Sequence, residues 1–576
     1  MNIEKKLLKE ILTEKKLLTL AQYKKYSKQV AKNKQTLEEI LIEKNIVDEE
    51  HLAQLYSQKV DIPYVDLTKR IIRRDILFQI PQQIAKKNNV VAFAEEAGIL
   101  KIAMADPEDL QIIEFIKKKI GQKIKVYLTS VSSINNVVKQ YRKGLKEEFD
   151  KMIDESVSAA QGEYDDLKKM AENMPVVRIV DMLLEHAMLQ GVSDIHIEPM
   201  EKRVVVRYRV DGILHDVIIL PREILAAIVA RIKILSNLKI DEHRLPQDGR
   251  FKMEKDGHKI SLRVSILPVY DGEKVVMRLL MEDTRVMTLE ELGLQYSALQ
   301  TSRRNINRPH GLILVTGPTG SGKTTSLYAM LSILNKPEVN ISTIEDPIEY
   351  HIPRINQSQV KPKIGYKFST GLRSLVRQDP DIIMVGEIRD EETVNIAINS
   401  ALTGHLVLST LHTRNAAGAA PRLMDMGAEP FLIASTLNII IAQRLVRKNC
   451  TNCLEEYQLN NEQIKLLEKE YDIPAILNVL VREKIIKQIR SLAELKFYRS
   501  KGCEYCNNMG YKGRIGVFEA MEITEAIKQL ILNRASIEEI QRKAVKQGMI
   551  TLVEDGFIKA ITGITSIDEV TRVTMN

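Results

Sequence analysis

The segment GPTGSGKT, residues 317–324, has the spacing of a phosphate-binding loop. It follows the apolar run LILVT and opens the helix-like stretch TTSLYAMLSIL. Glycines in that setting let backbone N–H groups turn toward phosphate at a helix N-terminus, where Lys323 reaches the β- and γ-phosphates and Thr324 can ligate magnesium. The nucleotide-binding residues expected from this pattern are Gly317, Pro318, Thr319, Gly320, Ser321, Gly322, Lys323, Thr324 and Thr325.

Nucleotide hydrolysis also needs a carboxylate that orients water, and two apolar runs end in candidates. TIEDPIE, residues 343–349, ends at Glu349, and the run in DPDIIMVGE ends at Glu387. Before Glu387, where such a strand usually carries a magnesium-binding aspartate, stands Gly386. Acidic residues after strands often serve only as caps. Because these two would follow neighbouring parallel strands that converge on the phosphate loop, both are expected to be catalytic.

Two histidines flank one apolar run, TGHLVLSTLHT, residues 403–413. His405 and His412 would lie at opposite ends of a single strand. A lone histidine is usually structural. One tip of this strand should lie close to the nucleotide, so the pair predicts a residue that senses the γ-phosphate.

The four cysteines form two C-x-x-C pairs, Cys450 with Cys453 and Cys503 with Cys506, separated by a charged insertion. In a cytosolic protein this spacing favours a four-thiolate zinc site over disulfides. Four thiolates leave no open coordination position, so the predicted role of the zinc is structural.

Arg263 in SLRVSIL and Arg278 in VVMRLL each interrupt an apolar strand pattern. An unpaired buried charge is costly, and arginine suits phosphate, so both are expected to face an anion; a salt-bridged or edge-strand arginine is the alternative. Two further candidates, Arg207 and Arg209, are spaced to share one strand face. Arg373 and Arg377, one helical turn apart before the strand that ends at Glu387, are expected to couple neighbouring subunits.

The elements that must position these residues suggest a multidomain α/β chain. From residue 291 onward, short apolar strands alternate with loops and helices, which indicates a parallel sheet with its site at the strands' carboxyl ends. The expected divisions are 1–60 (a helical repeat), 61–142 (a small α/β unit), 143–174 (a linker), 175–290 (a second α/β domain) and 291–576, which includes a zinc-binding insertion at 448–510.

The composition is that of a soluble globular protein, with 44% hydrophobic and 28% charged residues and a net charge of +8. No run approaches the ~20 apolar residues that span a bilayer, and the N-terminus lacks a signal-like apolar core. The expected location is therefore the cytoplasm.

Taken together, the motifs resemble those of the secretion ATPases that drive type II secretion and type IV pilus assembly. The matching segments run through nearly the whole chain: SDIHIEP, RYRVDG, RLPQDGR, the phosphate loop, TIEDPIE, LRSLVRQDPDIIMVGEIRDEET, TGHLVLSTLHT and AQRLVR. In this family a glycine before the strand-end glutamate is usual, so Gly386 implies no loss of activity. By resemblance, Glu387 serves magnesium and its water shell, Glu349 polarises the attacking water, and Arg263 and Arg278 complete the site across a subunit interface.

The resemblance implies a RecA-like core preceded by a PAS-like α/β domain, and ATP, Mg²⁺ and Zn²⁺ as cofactors. It implies a homo-hexamer that acts on an inner-membrane platform protein, associates peripherally with the membrane and docks a cytoplasmic-ring adaptor through its N-terminal module. That the chain carries N-terminal modules and paired cysteines favours an assembly over a retraction ATPase. Between pilus assembly and type II secretion, length and the long linker favour the pilus.

The N-terminal repeat matches 8–29 with 37–58. It resembles the family's cyclic-di-GMP-binding module, but the arginine slots hold Leu7 and Thr36, and the glycine slots hold Lys9, Lys16, Glu38 and Asn45. Without those glycines a ligand cannot approach the backbone closely. We therefore expect protein docking here and no cyclic-di-GMP binding.

Two other functions fit a phosphate loop: a nucleic-acid translocase and a non-hydrolysing nucleotide-dependent scaffold. A chain with no Trp and 5% aromatic residues offers few stacking platforms for bases, so no nucleic-acid partner is expected.

Overall fold

The computed structural model describes residues 46–138 and 174–574 with short gaps, and a few isolated residues nearer the N-terminus. The gaps are 69, 71, 97, 122, 256–257, 282–284, 489–490 and 507, and the isolated residues are 8, 11, 12, 18, 23, 37 and 41. Most of the expected N-terminal repeat, including Leu7, Thr36 and the four former glycine slots, lies outside the described residues. The expected linker, 143–174, lies there as well except for Met174, which begins a helix.

The chain forms two compact units. One comprises residues 1–208, 216–249 and 265–276, and the other comprises 209–215, 250–264 and 277–576. The α/β class expected from the alternation of apolar runs is confirmed by three sheets of three, six and seven strands together with a two-stranded sheet.

The amino-terminal part of the first unit contains a three-stranded sheet in the order β1-β2-β3. Strand β1 pairs antiparallel with β2, and β2 pairs parallel with β3. Its strands and the helices around them are α1 (Glu49–Val60), α2 (Arg74–Leu77), α3 (Gln82–Asn88), β1 (Val90–Glu96), β2 (Ile99–Met104), α4 (Leu110–Ile120) and β3 (Lys123–Leu128). Residues 131–138 are also helical.

A six-stranded sheet in the order β6-β5-β4-β9-β8-β7 comes next along the chain. The hairpin expected at Asp211-Gly212 is confirmed: both residues have positive φ, 49° and 89°, as a tight turn between twisted strands requires. The elements of this region are α5 (Met174–Leu189), β4 (Asp194–Pro199), β5 (Arg203–Val210), β6 (Ile213–Pro221), α6 (Leu225–Leu235), β7 (Gln247–Lys255), β8 (His258–Val269) and β9 (Gly272–Met281).

The seven-stranded sheet of the second unit has the order β12-β11-β13-β14-β10-β15-β18. All neighbouring pairs are parallel except β15 with β18. Its strands are β10 (Gly311–Thr316), β11 (Ile341–Glu345), β12 (Ile355–Gln359), β13 (Ile382–Val385), β14 (Leu406–Leu411), β15 (Leu437–Asn449) and β18 (Tyr511–Glu522).

Helices cover the parallel strands on both faces, which explains their continuous apolar runs. Every residue of β10, β13 and β14 is buried, and two apolar clusters pack against the sheet. The helices up to β15 are α7 (Tyr296–Ile306), α8 (Lys323–Leu334), α9 (Phe368–Leu375), α10 (Glu391–Leu402), α11 (Ala419–Asp425) and α12 (Pro430–Thr436).

The segment between the two cysteine pairs packs into an apolar cluster that contains Phe497 and also Phe557 and Val570 from the C-terminal helices. Its elements are β16 (Leu454–Tyr457), α13 (Asn461–Glu470), α14 (Ile473–Arg482) and β17 (Phe497–Ser500). After β18 the chain ends in four helices: α15 (Glu525–Leu532), α16 (Ile537–Lys546), α17 (Leu552–Ile561) and α18 (Ile567–Thr574). Within the described ranges, every helix is too short or too polar to cross a bilayer.

Candidate functional site

The expected phosphate loop lies between the carboxyl end of β10 and the start of α8, as the motif requires. Gly317 has φ of 152°, and a Cβ there would lie 2.5 Å from the carbonyl oxygen of Gln443. Gly322, with φ of 86°, comes immediately before the helix, and a Cβ there would lie 2.9 Å from the side-chain nitrogen Nε2 of Gln443. Both positions therefore admit only glycine, which leaves the backbone N–H groups of the loop accessible to an anion.

The Lys323 ammonium donates hydrogen bonds to the carbonyl oxygens of Gly317 at 2.9 Å and Pro318 at 3.2 Å. Burial lowers the pKa of Lys323 to about 8; the charge of Glu387 opposes this shift and that of Arg444 adds to it. Two carbonyls hold the ammonium over the loop, where it can transfer its hydrogen bonds to a phosphate.

Glu387 follows β13 and is largely buried, with 13% of its side chain exposed. Its carboxylate lies 2.5 Å from Arg389 Nη2 and 3.5 Å from His412 Nε2, and its charge acts on Lys323. The structure therefore brings together Lys323, Glu387 and His412. A hydroxyl from Thr324 and the Glu387 carboxylate are oxygen ligands of the kind that Mg²⁺ prefers.

Gly386 lies where the ends of β11 and β13 approach each other closely. Its N–H donates to the carbonyl of Ile344 at 2.8 Å, and its carbonyl accepts from the Thr410 hydroxyl at 2.7 Å. A Cβ at this position would lie 3.3 Å from Glu345 Cα and 3.4 Å from the Ile344 oxygen. An aspartate would press against backbone on the neighbouring strand, so the tight pairing of these strands explains the glycine.

The two histidines lie at opposite edges of the sheet. His412 follows the carboxyl end of β14, whereas His405 precedes its amino end, where the His405 carbonyl accepts from Gly311 N at the start of β10. The His405 ring contacts the Ser400 carbonyl at 2.9 Å and the Thr403 hydroxyl at 3.3 Å. The fold places His412 at the phosphate-loop edge and leaves His405 at the far edge.

Glu349 lies in the loop after β11 and pairs with Arg263. Arg263 Nη2 donates to the Glu349 carboxylate at 3.1 Å and to the Ile348 carbonyl at 3.1 Å. Burial lowers the pKa of Arg263; Glu349 opposes this, and the charges of Arg250 and Arg278 lower the pKa further. The anion that Arg263 contacts in this structure is therefore a carboxylate, with two more guanidinium groups nearby.

The other candidate arginines have varied surroundings. Arg278 is exposed on β9. Arg207 forms a salt bridge of 2.6 Å with Glu198, and Arg209 donates to the Gly212 carbonyl at 3.0 Å. Arg373 lies 2.8 Å from Glu392, and Arg377 donates to the carbonyl of Arg373 at 3.0 Å.

The four cysteine sulfurs lie within 4.8 Å of one another. The Cys450–Cys503, Cys453–Cys506 and Cys503–Cys506 distances are 3.8, 3.9 and 3.8 Å. A tetrahedron with Zn–S bonds of ~2.3 Å has edges of about 3.8 Å, so the sulfurs fit zinc. Burial alone would raise the pKa of Cys506, but N–H donors from Cys503 and Gly510 outweigh it and lower that pKa to about 7.

Several residues that lie near the phosphate loop were not among the site residues expected from the sequence. Thr316 accepts from Thr413 N at 2.9 Å, which ties the segment after His412 to the strand that carries the phosphate loop. Arg444 donates to the carbonyls of Gln443 and Arg414 at 3.0 and 2.5 Å. Arg444 interrupts the apolar pattern of β15. The same kind of interruption identified Arg263 in the sequence, so it could also have identified Arg444.

Two family models match separate parts of the chain. The family described as type II/IV secretion system protein matches residues 169–572, and the MshEN domain matches residues 60–148. The chain is 38% identical over 568 residues to the type IV pilus assembly ATPase PilB of Myxococcus xanthus, covering 97% of each chain. It is 42% identical over 491 residues to the type II secretion system protein E of Xanthomonas campestris, covering 85% of this chain and 83% of that protein.

Proposed function

Because this chain belongs to the family of type II/IV secretion system proteins, we propose that it is an ATPase motor that powers type IV pilus assembly. The observation that carries the proposal is the convergence of Lys323, Glu387 and His412 at the phosphate-loop edge of a parallel sheet. The relative named as a pilus assembly ATPase matches this chain over 97% of its length, N-terminal modules included. ATP, Mg²⁺ and Zn²⁺ are its cofactors.

In this proposal each residue of the site has a role set by its position. The loop from Gly317 to Thr325 binds the phosphates, Lys323 neutralises them, and Thr324 and Glu387 hold magnesium and its water shell. Bound magnesium would neutralise the charge that develops on the phosphoryl oxygens. Glu349 orients the attacking water, and His412, beside Glu387, responds to the γ-phosphate.

Arg263 and Arg278 are proposed to neutralise the phosphates of a neighbouring subunit. The charges of Arg250 and Arg278 lower the pKa of Arg263, while one carboxylate, Glu349, contacts Arg263. Such a concentration of guanidinium groups is suited to a phosphate. Completion of the site by a second copy requires an oligomer, and the oligomer we propose is a homo-hexameric ring.

The motor is proposed to act in the cytoplasm, at the surface of the inner membrane, on a membrane-embedded platform protein. The N-terminal module, which includes the MshEN match, is proposed to dock a cytoplasmic-ring adaptor. The division into 1–60, 61–142, 143–174, 175–290 and 291–576, with the zinc-binding insertion at 448–510, stays our proposed domain arrangement.

Type II secretion is the second candidate function. A type II secretion ATPase of Vibrio cholerae is 45% identical over 410 residues, although it matches 71% of this chain. Deleting the gene in its native host and scoring surface pili against secreted proteins separates the two. Loss of pili with normal secretion is expected.

ATP turnover by the purified protein tests the motor itself. We expect turnover that depends on Mg²⁺, is unchanged by single-stranded DNA and is abolished by Lys323→Ala with weakened ATP binding. Stimulation by DNA would favour a nucleic-acid translocase, and binding without turnover would favour a scaffold. Wild-type turnover in Lys323→Ala would refute the assignment of the phosphate loop.

A further inference from the structure

The hydroxyl of Tyr328 lies in the interior of the second unit, on the helix that begins with the phosphate-loop lysine. Tyr328 belongs to α8, and its side chain is completely buried. Its ring packs edge-on against Tyr350, with the ring centroids 4.6 Å apart. A phenylalanine could make the same ring contact, so packing alone does not account for a polar group that costs free energy to bury.

The Tyr328 hydroxyl is the centre of a hydrogen-bond network. It donates to the carboxylate of Glu345, and it accepts from the backbone N–H of Glu349 at 3.3 Å. Gln357 Nε2 lies 3.4 Å from the same oxygen. One donor and two acceptor positions are thus all used, which is the full capacity of a phenol.

Glu345 is the anchor of this network at the end of β11. It is 2% exposed and accepts from three groups: the Tyr328 hydroxyl, the Thr343 hydroxyl at 2.6 Å and Gln357 Nε2 at 3.1 Å. Burial raises the pKa of Glu345, and its three donors oppose the rise. Because every neighbour donates, the carboxylate orients Tyr328 so that its lone pairs face the loop that carries Glu349.

The loop that carries Glu349 is therefore held by hydrogen bonds to two other segments of the chain. Arg263 contacts the Glu349 carboxylate and the Ile348 carbonyl, and Tyr328 contacts the Glu349 N–H. Tyr328 stands five positions after Lys323 in the same helix, whose N-terminus binds phosphate. A rigid helix thus links the place of the nucleotide directly to the backbone of Glu349.

We propose that Tyr328, oriented by Glu345, is a positioning residue that places Glu349 relative to ATP bound at the phosphate loop. The inference rests on the proposed function, in which Glu349 orients the attacking water. Misplacement of a catalytic group by ~1 Å lowers the rate of reaction strongly. Nucleotide binding at the N-terminus of the helix does not require Glu349 to be correctly placed.

Tyr328→Phe tests the inference, because it removes one hydroxyl and keeps the ring. We expect kcat to fall about tenfold, the usual scale for one hydrogen bond, with ATP affinity and melting temperature close to those of the wild type. Tyr350→Phe is the matched control: among the described residues its hydroxyl has no hydrogen-bond partner, and its loss should leave kcat unchanged. An unchanged kcat in Tyr328→Phe would overturn the inference.

A double variant separates positioning from general loosening of the fold. If Tyr328 acts through Glu349, Tyr328→Phe should have no further effect in a Glu349→Gln background. Losses that multiply would show that Tyr328 acts elsewhere and would overturn the inference. A wild-type protein that fails to hydrolyse ATP would instead refute the proposed function, so the two failures are distinguishable.

Glu345→Gln provides a second variant should Tyr328→Phe be unstable. Thr343 and Gln357 both donate to one oxygen of Glu345, and Tyr328 donates to the other. An amide that keeps the first two hydrogen bonds turns its NH₂ group toward Tyr328 and reverses the hydrogen bond that orients it. We expect the same fall in kcat with ATP affinity retained, and again no further fall in the Glu349→Gln background. Normal turnover in a folded Glu345→Gln protein contradicts the role given to Glu345.

Discussion

Arg263 Nη2 lies 3.1 Å from a carboxylate oxygen of Glu349, in a loop where the backbone carbonyl of Ile348 accepts a second hydrogen bond from the same nitrogen. The pair is partly exposed, with 22% of the arginine side chain and 31% of the glutamate side chain accessible. Two groups proposed for the same reaction thus form an ion pair with each other. An arriving phosphate can compete for the guanidinium and release the carboxylate to water.

Glu349→Gln is expected to bind ATP normally and to lower turnover by roughly 10²-fold, a usual scale for loss of a general base or water-orienting group. Steady-state turnover and equilibrium nucleotide binding check this. Glu290→Gln, an exposed glutamate paired with Arg303, is the matched control and should leave both unchanged. If affinity collapsed together with turnover, Glu349 would be a metal or fold residue.

Sharing of Arg263 between chains predicts recovery of activity on mixing two inactive variants. Arg263→Ala chains have an intact phosphate loop, and Lys323→Ala chains have an intact arginine, so mixed rings contain some interfaces with both. Activity should appear on mixing, and the specific activity of the wild type should rise with protein concentration. The absence of recovery in verified mixed oligomers would place the action of Arg263 within its own chain.

The low pKa of Lys323 predicts that ATP binding takes up a proton at alkaline pH. Burial lowers the pKa of the free ammonium to about 8, so much of it is neutral at pH 9, and a bound phosphate favours the charged form. Calorimetry in buffers of different ionisation enthalpy should show uptake at pH 9 and little at pH 7. Lys323→Arg stays charged and, if it binds, should show none.

The zinc site predicts one zinc per chain, measurable by elemental analysis of protein purified without chelator. Cys503→Ser should lower the zinc content and destabilise the segment between the cysteine pairs, because an incomplete thiolate set binds metal poorly. ATP binding should survive, since the phosphate loop makes no use of these residues. Protein that contains no zinc would contradict the assignment.

Glu569 predicts an acid-sensitive contribution to stability. Burial alone would raise the pKa of Glu569, but hydrogen bonds from Arg572 and Arg447 outweigh it and lower that pKa to about 2. The stabilisation is present above the unfolded-state pKa, near 4.5, and is lost as the pH falls toward 2. Glu569→Gln should cost on the order of 3 kcal/mol at pH 7 and progressively less below pH 4.5, measured by denaturant unfolding. Glu525→Gln, an exposed control, should cost little at either pH.

Some of the site follows from local sequence alone. The glycines at 317 and 322 require backbone conformations and clearances that other residues lack, so their spacing before Lys323 already specifies a phosphate loop. The cysteine pairs are far apart in the chain, but the chemistry of thiolates and zinc makes their association predictable. The regular alternation of apolar runs with helices likewise predicts a parallel α/β sheet, because helices that connect parallel strands must cover its faces.

Tertiary structure decided what depends on strand order and on contacts between distant segments. Parallel pairing of β14 with β10 places His412, and not His405, at the phosphate-loop edge, although both flank the same apolar run. Close approach of β11 and β13 accounts for Gly386, and the pairing of Arg263 with Glu349 joins residues 86 positions apart. The buried hydroxyl of Tyr328 looks like ordinary helix core in the sequence, because a phenol ring has the same apolar pattern whether or not its oxygen meets a partner. Which polar atoms meet in the interior is set by packing of the whole sheet, and no local pattern encodes it.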